Sequence, residues 1–246
     1  MKIVGVIPAR YQSKRFPGKI LASLRGKPLI EHVYRQARES GILSEIIVAT
    51  DDDRVVRVVQ GFGGVARKVT GDFRCGSDRA AHLAKEMEAD IIINLQADEP
   101  FIPPEVIVAV AEPLKLPDIL MTTAATPIIR KAEWKDTNVV KVVVDRFGDA
   151  LYFTRACVPY DRDHNGRLPS VGAYKHLGIY GFKKDFLLEF ASWPSGLLED
   201  IEQLEQLRAM ENGVKIRVII TSIDSQSVDT PEDLERLNEE NCNRQG

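Results

Sequence analysis

Ile3-Val4-Gly5-Val6-Ile7-Pro8-Ala9-Arg10-Tyr11-Gln12-Ser13-Lys14-Arg15-Phe16-Pro17-Gly18-Lys19 is the stretch on which the reading of this chain turns. Ile3 to Ile7 is short and apolar, which predicts a buried strand. It stops at Pro8 and opens a loop with four cations in ten residues: Arg10, Lys14, Arg15 and Lys19. Open α/β sheets hold ligands in loops at the carboxyl ends of their parallel strands. Backbone N–H groups together with Lys and Arg in such a loop suit a polyphosphate, because they meet concentrated negative charge. The spacing is neither G-x-x-x-x-G-K-[ST] nor G-x-G-x-x-G, so neither standard phosphate motif is present. A solvated basic loop is the plain alternative. Its place directly after the first strand, with Gly18 freeing the backbone before Lys19, favours the ligand.

The bulk numbers agree with one such ligand. The 246 residues can bury a sizeable core, as one large or one-and-a-half domains, which we take as a single domain over 1–246. Hydrophobic content of 44% and charged content of 28% are those of an ordinary globular protein. A net charge of -3 argues against coating nucleic acid, so a basic loop in a mildly acidic chain points to one small anion. Cys75, Cys157 and Cys242 lie far apart with no C-x-x-C, which signals neither zinc nor a disulfide framework. No signal-peptide pattern and no apolar run near ~18 residues occur, so the expectation is a soluble cytoplasmic protein with no membrane partner.

Outward from the loop, strands and helices alternate. Pro28 begins a helix with Leu29, Ile30, Val33, Tyr34 and Ala37 on one face, ending at Gly41. Glu45 to Thr50 is a second buried strand, and Asp51-Asp52-Asp53 leads into a helix through Val55, Val56, Val58 and Val59. Asp52 and Asp53 suit an N-cap and first turn, while Asp51 stays open. Val65 to Val69 is a short strand. Arg74-Cys75-Gly76-Ser77-Asp78-Arg79 then opens the helix of Ala80 to Met87, with Ser77 or Asp78 as its cap. A second Gly/Ser/Arg turn beside the first loop suits a base or phosphate contact. Asp90 to Leu95 is the most strand-like segment, and it runs into Gln96-Ala97-Asp98-Glu99-Pro100. Adjacent carboxylates at a strand end suit Mg²⁺, which takes one or two carboxylates plus substrate phosphate oxygens. A helix follows from Pro103-Pro104-Glu105, and these repeated units predict a parallel, right-handed sheet with helices on both faces.

From Asp118 the pattern changes. Ile119 to Thr126, Val139 to Val144 and Ala150 to Thr154 read as strands, with a hairpin turn at Asp145 to Asp149. Tyr174 to Phe182 is extended and contains His176. Leu198 to Asn212 reads as one helix with Leu198, Ile201, Leu204, Leu207 and Met210 inward, followed by a strand from Val214 to Ile220. Val228-Asp229-Thr230-Pro231-Glu232-Asp233 caps the last helix. The fold class is therefore α/β: a Rossmann-type, mostly parallel sheet with helices on both faces, plus a smaller mixed extension.

Together these stretches resemble the CMP-sugar synthetases, most closely the 3-deoxy-manno-octulosonate cytidylyltransferase (CMP-Kdo synthetase) family. The resemblance runs almost end to end. It rests on Ile7 to Arg10 and Phe16 to Lys19, Ala49 to Asp52, Gly76 to Arg79, Asn94 to Pro100, Val139 to Val142, Ala150 to Arg155, Lys175 to Tyr180, Leu204 to Arg208 and Val228 to Asp233. It implies a nucleotidyltransferase-like fold and attack of a 2-keto-3-deoxy sugar acid on the α-phosphate of CTP, with Mg²⁺ as cofactor and a homodimer as assembly. Lys19, Arg10 and Arg15 would then stabilise the triphosphate and the leaving pyrophosphate, and Asp98 and Asp229 would hold Mg²⁺. Thr50, Arg74, Ser77 and Asp78 would receive cytosine and ribose, with Pro8, Ala9, Arg10 and Gly76 also in the nucleotide site. Residues 1–117 would be mainly the nucleotide-binding half and 118–246 mainly the sugar-binding and dimer-forming half. Arg155 and His176 would face the acid sugar, with Gln96, Tyr180, Glu205 and Gln206 contacting its hydroxyls. A core histidine at 176 and a solvated helix face at Glu205 and Gln206 are the plain alternatives. Ala97 stands where the family usually has Gly, and Cys75 and Ser77 where Ser and Thr are common. Rival readings are a related 2-keto acid or sugar-1-phosphate nucleotidyltransferase, a glycosyltransferase using Asp51-Asp52-Asp53, and a nucleotide-binding regulatory module.

Overall fold

Alternation along β1 (Ile3–Ala9) sends Ile3, Ile7 and Ala9 to one face of a sheet and Val4 and Val6 to the other, and both faces are covered. That is the signature of a central parallel strand. The computed structural model describes residues 1–13 and 15–242, so Lys14 of the basic loop lies outside the described residues. A two-stranded ribbon, β2 (Ser23–Leu24) and β3 (Lys27–Pro28), leads into α1 (Leu29–Glu39), with Pro28 at the N-cap position. α1 buries Leu29, Ile30, Val33, Tyr34 and Ala37, as its periodicity predicts. Beyond it, Gly41 takes φ 66°, the left-handed turn that ends helices.

β4 (Glu45–Thr50) pairs parallel to β1, and α2 (Asp53–Gly61) is capped by the Asp52 side chain, which accepts from Arg54 N. β5 (Val65–Lys68) forms the parallel edge. α3 (Gly76–Ala84) begins four residues earlier than the apolar pattern suggests, and neither expected cap serves it. Cys75 is the cap, its Sγ accepting from Asp78 N at 3.4 Å. Ser77 and Asp78 fall in the first turn instead, where tertiary contacts bury them.

β6 (Ile91–Leu95) is wholly buried, and α4 (Pro104–Ala111) follows it. The second half adds β7 (Met121–Pro127), α5 (Lys131–Lys135), β8 (Lys141–Val144), β9 (Ala150–Thr154), β10 (Tyr174–Lys183) and α6 (Lys184–Ser192). It ends with α7 (Leu197–Glu202), α8 (Leu207–Glu211), β11 (Ile216–Ile220) and α9 (Pro231–Cys242). The sheet order is β11-β7-β10-β6-β1-β4-β5, with β8 on β10 and β9 on β8. β10 runs antiparallel between β6 and β7, while β7 and β11 are parallel. The fold is thus a mostly parallel α/β sheet with a small mixed extension, and strands from both halves share it.

α1, α2 and α4 cover one face, and α3, α6 and α8 the other. Among the described residues no helix is long and apolar enough to cross a membrane. The expected helix from Leu198 to Asn212 is a correction: it breaks between α7 and α8, where Gln203 takes φ 55°. Ile201, placed inward by that pattern, is 68% exposed. Arg208 reaches back across the break to Glu199, at 2.8 and 2.6 Å, so the two short helices fold against each other.

Candidate active site

A cleft of about 1260 Å³ opens at the carboxyl ends of β1 and β6, where such sheets bind ligands. In its wall stands an ion cluster that joins distant parts of the chain. Gly18 takes φ 74°, and a Cβ there would also meet the Tyr11 hydroxyl at 3.1 Å, so only glycine brings Lys19 into place. The Lys19 ammonium lies 2.9 Å from Asp98 Oδ2 and 3.5 Å from Asp229 Oδ1, and it is almost buried. Arg15 Nη2 donates to the same Asp229 Oδ1 at 2.8 Å.

Asp229 is delivered by a pinned segment. Val228 N donates to Asp98 O at 2.9 Å, and Asp229 N and Thr230 N donate to Asp233 Oδ2, the capping pattern the sequence predicts before α9. Upstream, Ser225 donates to buried Glu99 at 2.7 Å and accepts through its carbonyl from Lys175 at 3.0 Å. Glu99 also accepts from Gly178 N, and a Cβ at position 178 would meet Glu99 Cγ at 2.9 Å. Burial pushes the Glu99 carboxyl up to about 7, against the lowering by its Ser225 hydrogen bond.

Among the described residues no group of three or more His, Cys, Asp and Glu side chains gathers as a metal cage. Two carboxylates gathered on one ammonium suit Mg²⁺, which keeps water and substrate phosphate for its remaining positions.

The expected nucleotide contacts divide into two sets. Pro8, Arg10, Arg74 and Gly76 line the cleft, as does Cys75. Ala9, Thr50, Ser77 and Asp78 stand behind its wall. Ala9 and Thr50 pair with each other in the buried sheet. Asp78 holds Arg74 at 3.1 Å and Arg208 at 2.8 Å. Asp51, which the sequence left open, anchors Arg79 at 2.7 Å. Burial pushes the Cys75 thiol far above its ordinary range, so it is a protonated cap.

Gln96, Arg155, His176, Tyr180, Glu205 and Gln206 all line the same cleft. Arg155 donates to the carbonyls of Glu202, Thr137 and Gln203 at 2.8, 2.9 and 3.4 Å, which aim its guanidinium and leave N–H groups over. His176 Nε2 bonds to Thr123 Oγ1 at 2.8 Å, and burial pushes its pKa down to about 3. It is therefore neutral at pH 7, and of the two residues expected to face the acid sugar only Arg155 is charged. Glu205 and Gln206 are not a solvated helix face. Gln206 is 1% exposed, and Glu205 accepts from Ser77 N at 3.0 Å, with burial raising its pKa. The break between α7 and α8 is what turns both inward.

Glu199 and Asn94 also line the cleft and Arg208 stands behind its wall, and sequence reasoning singled out none of the three. Burial opposes the Arg208 charge, but its hydrogen bonds to Glu199 and Asp78 more than restore it. Removing the arginine would strand two buried carboxylates, so the group stands or falls together. Asn94 carried a legible signal: it is the polar residue of an otherwise apolar strand. Ala97, in place of the family's glycine, is 7% exposed in the cleft wall between Gln96 and Asp98.

Comparison with known proteins adds the following. A family model described as cytidylyltransferase matches residues 4–216. The chain is 48% identical over 237 residues to 3-deoxy-manno-octulosonate cytidylyltransferase of Solibacter usitatus, covering 96% of this chain and 93% of that protein. It is 47% identical over 243 residues to the protein of the same name from Syntrophotalea carbinolica, covering 96% and 97%. The solved structure of CMP:2-keto-3-deoxy-manno-octonic acid synthetase complexed with CTP superposes with a TM-score of 0.91 at 39% identity, over 99% of this chain and 100% of that one. The solved structure of 4-diphosphocytidyl-2C-methyl-D-erythritol synthase from Anaerococcus prevotii shares the fold alone, with a TM-score of 0.65 at 14% identity over 98% of each chain.

Proposed function

The chain belongs to the cytidylyltransferase family, and from that premise we propose that it activates 3-deoxy-D-manno-octulosonate (Kdo) with CTP, as a Mg²⁺-dependent cytoplasmic homodimer serving lipopolysaccharide synthesis. One observation carries the reading: a single cleft is lined both by the Lys19–Asp98–Asp229 cluster and by Arg155, Tyr180 and Gln206. The anomeric hydroxyl oxygen bonds to the α-phosphorus of CTP, the bond to the bridging oxygen breaks, and CMP-Kdo and pyrophosphate result, with the hydroxyl proton passing to solvent. Such transfer needs in-line positioning and charge neutralisation more than covalent catalysis. Lys19, Arg10 and Arg15 neutralise the phosphates, and Arg74, Pro8 and Gly76 receive the nucleoside. Arg155 meets the sugar carboxylate, Gln96, Tyr180, Glu205 and Gln206 take its hydroxyls, and neutral His176 adds a hydrogen bond without charge. Mg²⁺ bound by Asp98 and Asp229 would supply further charge neutralisation at the phosphates.

Pyrophosphate release with each of four NTPs, across a panel of 2-keto sugar acids and hexose 1-phosphates, tests this reading. Turnover is expected with CTP and Kdo and is expected to stop in excess EDTA. Equal rates with ATP or GTP, preferred use of a hexose 1-phosphate, or full activity in EDTA would overturn it.

The homodimer rests on β9 and α7, which Thr154 and Arg155 join through hydrogen bonds to Glu202. These elements expose Leu151, Leu197 and Ile201. Light scattering is expected to give twice the chain mass, and a monomer at every concentration would refute the assembly.

A further inference from the structure

Two buried polar atoms in the cleft wall, Asn94 Oδ1 and Gln206 Nε2, have no partner in the protein. Their residues are 0% and 1% exposed. Buried polar groups are nearly always paired, so each orphan marks a partner that arrives from outside. Both amides are oriented from behind. Asn94 Nδ2 donates to Ser77 Oγ at 2.9 Å, and Gln206 Oε1 accepts from the Tyr180 hydroxyl at 2.8 Å. Burial raises the Tyr180 pKa well above its ordinary range, so that phenol keeps the proton it donates.

The sheet ties both orphans to one tyrosine. Tyr180 is the cross-strand partner of Asn94 in the antiparallel register of β10 and β6. Asn94 shares its face with Ile92, toward α3 and Ser77, while Ile91, Ile93 and Leu95 point the other way. The cleft thus presents one unpaired acceptor and one unpaired donor around one tyrosine. A carboxylate or phosphate oxygen cannot satisfy both, because it offers no hydrogen to Asn94 Oδ1. A hydroxyl can, since it donates and accepts at once.

The geometry points to Asn94 as a specificity-determining residue that, with Gln206, reads one hydroxyl of the acceptor sugar. This rests on the sugar-acid reading above. Tyr180 and Gln206 are residues the family resemblance gives to the acceptor, while a Cβ at Gly76 would lie 4.0 Å from Asn94 Nδ2, so KM for CTP is read beside KM for the sugar.

The test crosses enzyme variants with acceptors lacking one hydroxyl each. The wild type is expected to lose on the order of 10²-fold in kcat/KM for one deoxy analogue, because its absence leaves buried groups unpaired. Asn94→Leu, of similar volume, is expected to erase most of that penalty for that analogue alone, with KM for CTP unchanged. An equal penalty for every analogue in both enzymes, or a shift in KM for CTP in place of the sugar, would overturn the assignment. If Asn94→Leu does not fold, Ser77→Ala decides: it keeps Asn94 but frees its amide, and must relax the same single discrimination, or the assignment fails. A wild type that turns over no sugar acid would instead refute the acceptor reading on which this one stands.

Discussion

Asp98→Asn and Asp229→Asn are each expected to lower pyrophosphate release on the order of 10³-fold or more, with the double replacement little worse than either, because groups that act as a unit give non-additive losses. The two carboxylates share one ammonium at 2.9 and 3.5 Å although they come from opposite halves of the chain. If the two together hold one Mg²⁺, losing either one disables the site and the second loss finds little left to remove. Binding gives a readout besides turnover. Mn²⁺ held by the protein with CTP, counted by electron paramagnetic resonance, is expected to fall in both single variants. Both carboxylates are about a quarter exposed at the cleft, and the substitution keeps their shape, so melting temperature is expected to change little. Losses that multiply in the double variant would show two independent roles and refute the shared site.

Lys19→Ala is expected to cost on the order of 10²-fold in kcat, the scale of removing one preorganised charge partner of a transition state. The effect belongs in kcat because charge accumulates on the departing pyrophosphate as its bond breaks. The lysine contributes little to the apolar core, so the fold is expected to persist. Its removal also leaves Asp98 and Asp229 facing each other without the ammonium between them. The Mg²⁺ concentration for half-maximal activity is therefore expected to fall while kcat drops. An unchanged kcat in a folded variant would remove Lys19 from the chemistry.

Much of the architecture was readable one segment at a time. The apolar run of β1, the helix pattern of α1 and the acid cap of α2 are local signals, and each segment folds as its own residues direct. The cations after β1 and the acids after β6 were legible for the same reason, since a motif at a strand end carries its position with it. The family resemblance then assigned them a reaction that composition and spacing alone did not reach.

Tertiary structure decided the rest, and in each case a long-range contact outweighed a local preference. Leu198 to Asn212 has a helix pattern throughout, yet the pull of Arg208 on Glu199 across Gln203 breaks it and turns Glu205 and Gln206 inward. Ser77 and Asp78 have the chemistry of caps, but Cys75 caps α3 while they serve Asn94 and Arg208. His176 could be read as an anion ligand, but burial beside Thr123, Phe153 and Tyr180 keeps it neutral. By itself the sequence determined which segments become strands and helices and which loops carry charge, because backbone preference and hydrophobic period act over a few residues. Only the fold decided which charges meet and which polar atoms stay unpaired, because burial and distance depend on chain far away in the sequence.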